Sequence, residues 1–296
     1  MSKNHIKKIG LIGCLSLGIG CIIGSGIFGS LPEVTNDIGT GVVWALIAST
    51  LVVILRGLPA VYSTAALPTS ARHFMHQTKL LHPFVGALQA FNSILITSML
   101  ALYGVLFAEY FLDLFPGCPV GETPIAIALV VVFCALALFG NKISSHVENL
   151  MVLLMIAVLV LYVILGLPHM DPDAVSFREI LFPGMTISGF SAAVGVLSSC
   201  VSGGAIIAEI SDDVANPKRT IPLAIILCPA IICLLYVLIG VITAGSGITD
   251  LTTLSDVART FMSPTLMTLF IVFGLIFGIL TSFIPFLLAM VAEFDY

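Results

Sequence analysis

Residues 18–28 read Gly-Ile-Gly-Cys-Ile-Ile-Gly-Ser-Gly-Ile-Phe, which places four glycines and a serine inside the first long apolar run of the chain. Each glycine in a helix interior costs about 0.5–1 kcal/mol relative to alanine, so a helix through this stretch is weak. Lipid offers no partners for the backbone N–H and C=O groups that an interrupted helix releases. We therefore expect the helix to break here, with its free backbone groups facing a cavity or a bound solute.

The composition is that of an integral membrane protein. Of the 296 residues, 59% are hydrophobic and only 9% are charged, whereas a soluble domain carries about 25% charged residues. The lipid bilayer is therefore one partner. Nucleic acid is not expected as a partner, because the chain has only 11 Lys and Arg residues and no basic stripe.

The sequence predicts no metal site and no organic cofactor. The seven cysteines include no C-x-x-C pair, and six of them lie in apolar runs, where cysteine acts as a small buried hydrophobe. His73, His76 and His82 fall in one polar loop at a spacing too loose for a metal site.

Eight apolar runs are long enough to span a membrane, which takes about 20 residues. They cover residues 9–31, 41–66, 83–112, 122–140, 149–167, 183–208, 221–245 and 264–292. The chain is thus predicted to be an all-α, polytopic protein with a single membrane domain over 1–296. With the N-terminus in the cytoplasm, eight basic residues fall in cytoplasmic segments against two in outer loops. This bias predicts cytoplasmic N- and C-termini, and we expect the cell membrane as the location.

A second helix-weakening stretch lies in the sixth span, where residues 198–204 read Ser-Ser-Cys-Val-Ser-Gly-Gly. The sixth span comes five spans after the first, so the two segments enter from opposite sides of the membrane. Paired interrupted helices in inverted repeats are typical of the central binding site of secondary transporters. The alternative is that the small residues only allow close helix packing.

Three stretches carry a resemblance to a known family. Residues 9–28 match its first-helix signature, residues 208–222 its cytoplasmic linker after helix 6, and residues 68–70 form a weaker match after helix 2. On these motifs the sequence resembles the amino acid–polyamine–organocation (APC) superfamily of permeases. The resemblance implies a LeuT-like fold of two inverted five-helix repeats (5+5), with helices 1 and 6 unwound at the centre. The first repeat would be 9–167 (helices 1–5), and 183–292 (helices 6–8) would be a partial second repeat.

The resemblance implies secondary active transport of an amino acid or a related amine by alternating access. The mode would be symport or antiport, with a proton or sodium as coupling ion. The alternative is a truncated, non-transporting fragment, or a half that needs a partner chain for the missing helices. A membrane enzyme is not favoured, because the sequence has neither a Gly-x-Ser-x-Gly elbow nor a His-Glu-x-x-His helix.

The candidate substrate site lies at the two weak stretches. A half-helix that starts near Ser25 offers unpaired N–H groups and a positive dipole end to a carboxylate, and carbonyls before the break suit an ammonium group. By resemblance, Ser25 and Gly26 take the carboxylate and the Ile22 carbonyl takes the amine. The full set of candidate residues is Ile22, Ile23, Gly24, Ser25, Gly26, Ser199, Ser202, Gly203 and Gly204. Members of the resembled family often carry an acidic residue at the position of Ala205 and an aromatic one at that of Ser199, so their absence here implies a small or neutral substrate.

Two further positions carry polar groups inside apolar runs. Thr281 and Ser282 are adjacent hydroxyls at a depth suited to an ion shared with carbonyls of the first helix. The alternative is that they bond back to their own helix. Arg56 lies within the second span, where it either extends toward the cytoplasm, or has a buried partner or acts as a coupling residue.

Overall fold

The computed structural model describes residues 8–66, 75–115, 117–138, 141–170, 180, 184–248, 250–283 and 287. This part of the chain is built from helices, and its extended pairing is a single isolated bridge between Ile9 and Val214. The helices are α1 (Leu11–Ile22), α2 (Ser25–Ile38), α3 (Val42–Ala66), α4 (Pro83–Leu114), α5 (Glu122–Leu138), α6 (Asn141–Gly166), α7 (Ile187–Val201), α8 (Pro217–Ala244), α9 (Leu254–Ala258) and α10 (Pro264–Phe270). A 3₁₀ segment, Gly204–Asp213, follows α7, and α10 continues through a π-helical turn as far as Phe283.

Each of the eight predicted spans overlaps a helix. Within the described residues, four helical stretches are long and apolar enough to cross a membrane, and α7 with the 3₁₀ segment forms a fifth, bent by 42°. Shorter apolar helices cover Leu11–Ile22, Tyr103–Leu112 and Glu122–Ala135. The protein is therefore a multi-pass membrane protein. The four unbent stretches are Gly26–Thr64, Asn149–His169, Pro217–Ala244 and Pro264–Phe283.

The end of α2 and the start of α6 are among the helix boundaries that differ from the sequence prediction. The α2 helix runs through Pro32 to Ile38 instead of ending near residue 31, so this proline does not end the helix although it removes one intrahelical bond. The α6 helix begins at Asn141 and not at residue 149. Its first eight residues are largely polar, and hydropathy does not register polar helical turns.

The first interrupted helix lies at the centre of the packing. The α1 helix contacts α6 and α8, while α3 packs against both α7 and α8. Aromatic contacts join α2, α6 and α10, since the ring of Phe270 lies 6.0 Å from Phe28 and 5.4 Å from Tyr162. Buried apolar side chains thus surround the point at which α1 gives way to α2.

Backbone hydrogen bonds tie the start of α1 to the end of the 3₁₀ segment. The N–H of Ile9 donates to the carbonyl of Asp213 at 2.8 Å, and the N–H of Ala215 donates to the carbonyl of Ile9 at 2.8 Å. At the far end of α2, the side chain of Asn36 bonds both main-chain groups of Leu251. The first interrupted helix is therefore tied to the end of the second at its start and to Leu251 at its far end.

Candidate functional site

The first interruption lies at Ile23 and Gly24. The α1 helix ends at Ile22, where Ile23 has ψ 70°, and Gly24 is extended with φ −97° and ψ −161° before α2 starts at Ser25. Gly24 provides no side chain to cap α2, so the first N–H groups of that helix are left for other partners. The break thus creates an uncapped helix start inside the bundle.

The second interruption lies at Ser202 and Gly203. The α7 helix ends at Val201, Ser202 is extended with ψ 151°, and Gly203 has φ 139°. This φ lies in a region that residues with a Cβ rarely adopt, so the bend requires glycine. A Cβ on Gly203 would also lie 2.8 Å from the carbonyl oxygen of Cys21, which brings the two interruptions into direct contact.

A cavity of about 270 Å³ lies between the two interruptions. Its size is close to the lower end of the range for small-molecule sites, about 300–1,000 Å³. The predicted residues Ile22, Gly24, Gly26, Ser199, Ser202 and Gly203 line it, together with Cys21, Cys200 and Tyr103.

Ile23, Gly204 and Ser25 complete the predicted substrate set. Ile23 is fully buried in the core, and Gly204 lines a neighbouring cavity. The side chain of Ser25 lies outside the described part of the structure, although its backbone starts α2. The carbonyl of Ile22 is not free as expected, because it accepts hydrogen bonds from the N–H of Gly24 at 2.9 Å and the hydroxyl of Tyr236 at 3.5 Å.

Sequence reasoning missed Tyr103. This tyrosine lies on α4, and its hydroxyl oxygen is 3.9 Å from the position of a Cβ built on Gly24. The apolar residues of α4 show no preferred face, so periodicity gives no hint of which residue faces the interruption. The feature of the sequence that could have identified Tyr103 is a hydroxyl in the middle of an apolar run, and the same feature identifies Thr281 and Ser282.

The hydroxyls of Thr281 and Ser282 are fully buried against α1. Thr281 Oγ1 lies 3.2 Å from the carbonyl of Gly20 and 3.2 Å from that of Gly278. Ser282 Oγ lies 3.4 Å and 3.1 Å from the same two carbonyls. Both hydroxyls therefore bond to their own helix and also approach α1. The two hydroxyl oxygens and the carbonyl oxygens of Gly20 and Gly278 form a group of four that could hold a hard cation.

Arg56 has a partner at the second interruption. Its guanidinium Nη2 donates to the hydroxyl of Ser202 at 2.5 Å. Arg56 and Ser202 both line a second cavity of about 460 Å³, which Gly203 and Gly204 also border. Ser202 and Gly203 belong to both cavities, so Arg56 stands next to the candidate substrate site.

Comparison with known proteins gives a family and a fold. The amino acid permease family model matches residues 9–292. The methylthioribose transporter of Bacillus subtilis is 24% identical over 265 residues, which cover 82% of this chain and 56% of that protein. The branched-chain amino acid permease BcaP of the same organism is 25% identical over 267 residues, with 82% and 56% covered. The chain spans about half the length of the curated relatives it matches.

A solved structure confirms the predicted fold class. MHP1, a nucleobase-cation-symport-1 family transporter solved in a closed conformation, superposes with a TM-score of 0.61 at 15% identity. The match covers 95% of this chain and 64% of MHP1. The fold is therefore the all-α, LeuT-like transporter fold. By its family match over residues 9–292, the chain belongs to the amino acid permease family of the APC superfamily, whose members are transporters and not enzymes.

Proposed function

We propose that the protein takes part in secondary active transport of an amino acid or a related amine by alternating access. The observation that carries the proposal is the cavity of about 270 Å³ bounded by both interrupted helices. In secondary transporters, helices interrupted near the middle of the bilayer bind small polar solutes, because backbone groups freed by the interruption replace the water that the solute loses. The family description and a branched-chain amino acid permease among the relatives support an amino acid as the solute.

In the proposed binding mode, the solute's carboxylate lies at the start of α2. The N–H groups at Ser25 and Gly26 have no side-chain cap, and the positive end of a helix dipole favours an anion there. The ammonium group lies at the carbonyls of Ile22 and Ile23. Of the two donors that the Ile22 carbonyl already has, the Tyr236 hydroxyl at 3.5 Å is long enough to be displaced easily.

We propose sodium as the coupling ion, with a proton as the alternative. Carbonyl and hydroxyl oxygens are the ligands that unwound transporter helices offer to sodium. The oxygens of Gly20, Gly278, Thr281 and Ser282 form such a group beside the first interruption. A solute at Gly24 and an ion at Ser282 would be neighbours, since a Cβ on Gly24 would lie 2.9 Å from Ser282 Oγ.

The proposal extends to location and organisation. We propose the cell membrane, with both termini in the cytoplasm, and repeats over 9–167 and 183–292. The positive-inside bias of the loops supports the orientation.

The direct test combines binding and uptake. Purified protein is screened by thermal unfolding against amino acids and amines, since a ligand that binds only the folded state raises its stability. Uptake of each hit is then measured in reconstituted vesicles for the wild type and for Ser25→Leu, with Ser191→Leu on the exposed face of α7 as control. Loss of uptake in Ser25→Leu alone supports the site, and equal uptake in both variants contradicts it. Binding without uptake by the wild type favours the alternative, a non-transporting fragment or a half that needs a partner chain.

A further inference from the structure

Arg56 is placed where an arginine is costly. It is the fifteenth of the 25 residues of α3, close to the middle of the helix. An arginine at the centre of a spanning helix costs about 2.5–3.5 kcal/mol on insertion scales. Ionisable residues at such depth face a cavity or a partner and mark solute or ion pathways.

The partner in the structure leaves the charge of Arg56 uncompensated. The bond to Ser202 Oγ occupies one of the five N–H donors of the guanidinium, and a hydroxyl is neutral. Among the described residues, no carboxylate forms an ion pair with Arg56. A fixed positive charge, with donors that no described residue occupies, therefore borders the cavity of about 460 Å³.

This charge lies at the junction of two cavities. Ser202, which Arg56 contacts, also lines the cavity of about 270 Å³ between the interruptions, and so does Gly203. A solute held at Gly24 and Gly26 that directs its side chain past Ser202 would bring that side chain to the guanidinium. The planar fork of arginine matches a carboxylate in a bidentate manner, whereas it repels an ammonium group.

We infer that Arg56 selects solutes that carry a second acidic group, so that the substrate is an amino acid with an acidic side chain. This inference rests on the proposed function, because it assumes that the amino acid backbone lies between the two interruptions. It replaces the neutral side chain that the family resemblance implies, since Arg56 of α3 brings a charge to the cavity that Ala205 also lines, and this cavity shares Ser202 and Gly203 with the one that Ser199 lines. Solutes with a cationic side chain are excluded by the same charge.

The test compares acidic amino acids with their neutral amides. Binding of aspartate, asparagine, glutamate and glutamine is measured by calorimetry on the full chain in phosphatidylcholine nanodiscs, which hold no anionic lipid. For the wild type we expect each acid to bind roughly tenfold to hundredfold tighter than its amide, the range of a charge-assisted hydrogen bond. Arg56→Gln should reduce this ratio to within about twofold while it leaves the affinity for the amides unchanged.

Three variants keep the test informative. Arg56→Lys retains the charge but not the fork, so it should keep part of the preference. Ser202→Ala removes the anchoring hydroxyl and should lower the preference less than Arg56→Gln does. Arg259→Gln removes an exposed arginine between α9 and α10 and should bind all four compounds as the wild type does.

The results that would contradict the assignment of Arg56 differ from those that would contradict the proposed function. If the wild type binds acids and amides equally, or if Arg56→Gln keeps the preference, the assignment of Arg56 is wrong while the proposed function stands. If Arg56→Gln weakens the binding of acids and amides alike, the guanidinium binds the backbone carboxylate of the solute. The inference that it selects an acidic side chain is then wrong. If none of the four compounds binds to the wild type but another amino acid or amine does, the assignment of Arg56 is wrong while the proposed function stands. If no amino acid or amine binds, both fail.

Discussion

Gly203 lies against the main chain of Cys21, so that a methyl group on its Cα would sit 2.8 Å from the Cys21 carbonyl oxygen. The contact joins the interruption of the sixth span to the end of α1 and forms one wall of the cavity between them. Gly203 also has a φ of 139°, so its lack of a side chain serves both the bend and the contact.

Gly203→Ala should therefore destabilise the protein and weaken solute binding. A Cβ at this φ costs about 1–2 kcal/mol in backbone strain, and the contact with Cys21 adds to it. Thermal unfolding of the purified variants measures the effect. Gly195→Ala on α7 is the matched control, because a Cβ there meets no atom within 4 Å and should stabilise the helix slightly. Equal unfolding temperatures for both variants would show that the close approach is absent.

Tyr103→Phe should weaken solute binding without unfolding the protein. The hydroxyl borders the cavity near Gly24, and a lost hydrogen bond of this kind costs about 0.5–1.5 kcal/mol, or roughly twofold to tenfold in affinity. Titration with the ligand found by thermal screening measures the change. Tyr62→Phe, which removes a hydroxyl from a tyrosine that is 74% exposed, should have no effect. An unchanged affinity in Tyr103→Phe would remove this residue from the site.

The double substitution Thr281→Ala and Ser282→Ala should abolish stabilisation by sodium. In the wild type, sodium at a hundredfold excess over its dissociation constant should raise the stability by about 2.7 kcal/mol relative to choline. The variant loses two of the four oxygen atoms at the proposed ion site, so this difference should vanish. Thr268→Ala removes a hydroxyl of α10 that bonds only to its own helix, and it should respond to sodium as the wild type does. A wild type that is indifferent to sodium would leave the proton as coupling ion.

Asp256, which lies outside the membrane-spanning helices, should make the stability of the folded protein depend on pH. Burial would raise the pKa of Asp256, but hydrogen bonds from Thr253 and Thr252 outweigh it and hold the pKa below its ordinary value of 3.8. A carboxyl group with a lowered pKa in the folded state stabilises that state above its ordinary pKa, and the stabilisation is lost as the pH falls through the folded value. The carboxylate also completes the capping box of α9.

Asp256→Asn should thus cost about 1 kcal/mol at pH 7, and this difference from the wild type should shrink below about pH 4. Unfolding curves at a series of pH values check both parts. Asp250→Asn is the control, because Asp250 is exposed with φ 60°, a conformation that asparagine also tolerates. A difference between Asp256→Asn and wild type that grows toward low pH would have the wrong sign.

The sequence indicates the interruptions because glycine and serine weaken helices wherever they occur. Gly24 and Gly203 stand out for this reason, and so do the hydroxyls of Thr281 and Ser282. The hydropathy of the spans is equally local, which is why each predicted span contains a helix. What binds at these residues stays a prediction.

The contacts between distant segments could not be predicted in this way. Tyr103 reaches the first interruption from another helix, and Arg56 and Ser202 are 146 residues apart in the chain. Both relationships depend on how the helices are rotated against one another, and an apolar run without a preferred face does not encode that rotation. The carbonyl of Ile22 is occupied partly for the same reason, since one of its two donors, Tyr236, comes from α8, whereas the other is the neighbouring N–H of Gly24.

The most direct test of two interrupted helices facing a solute cavity is a cross-link between them. A Cβ on Gly26 would lie 3.6 Å from Cβ of Cys200, within the range of about 3.5–4.5 Å for a disulfide. In a variant without the other six cysteines, Gly26→Cys should therefore form a disulfide with Cys200 on oxidation, and Gly29→Cys, which faces open space, should not. A mixture of amino acids other than cysteine should slow the reaction by occupying the cavity. Failure of Gly26→Cys to react faster than Gly29→Cys, or a rate that no amino acid changes, would contradict the account.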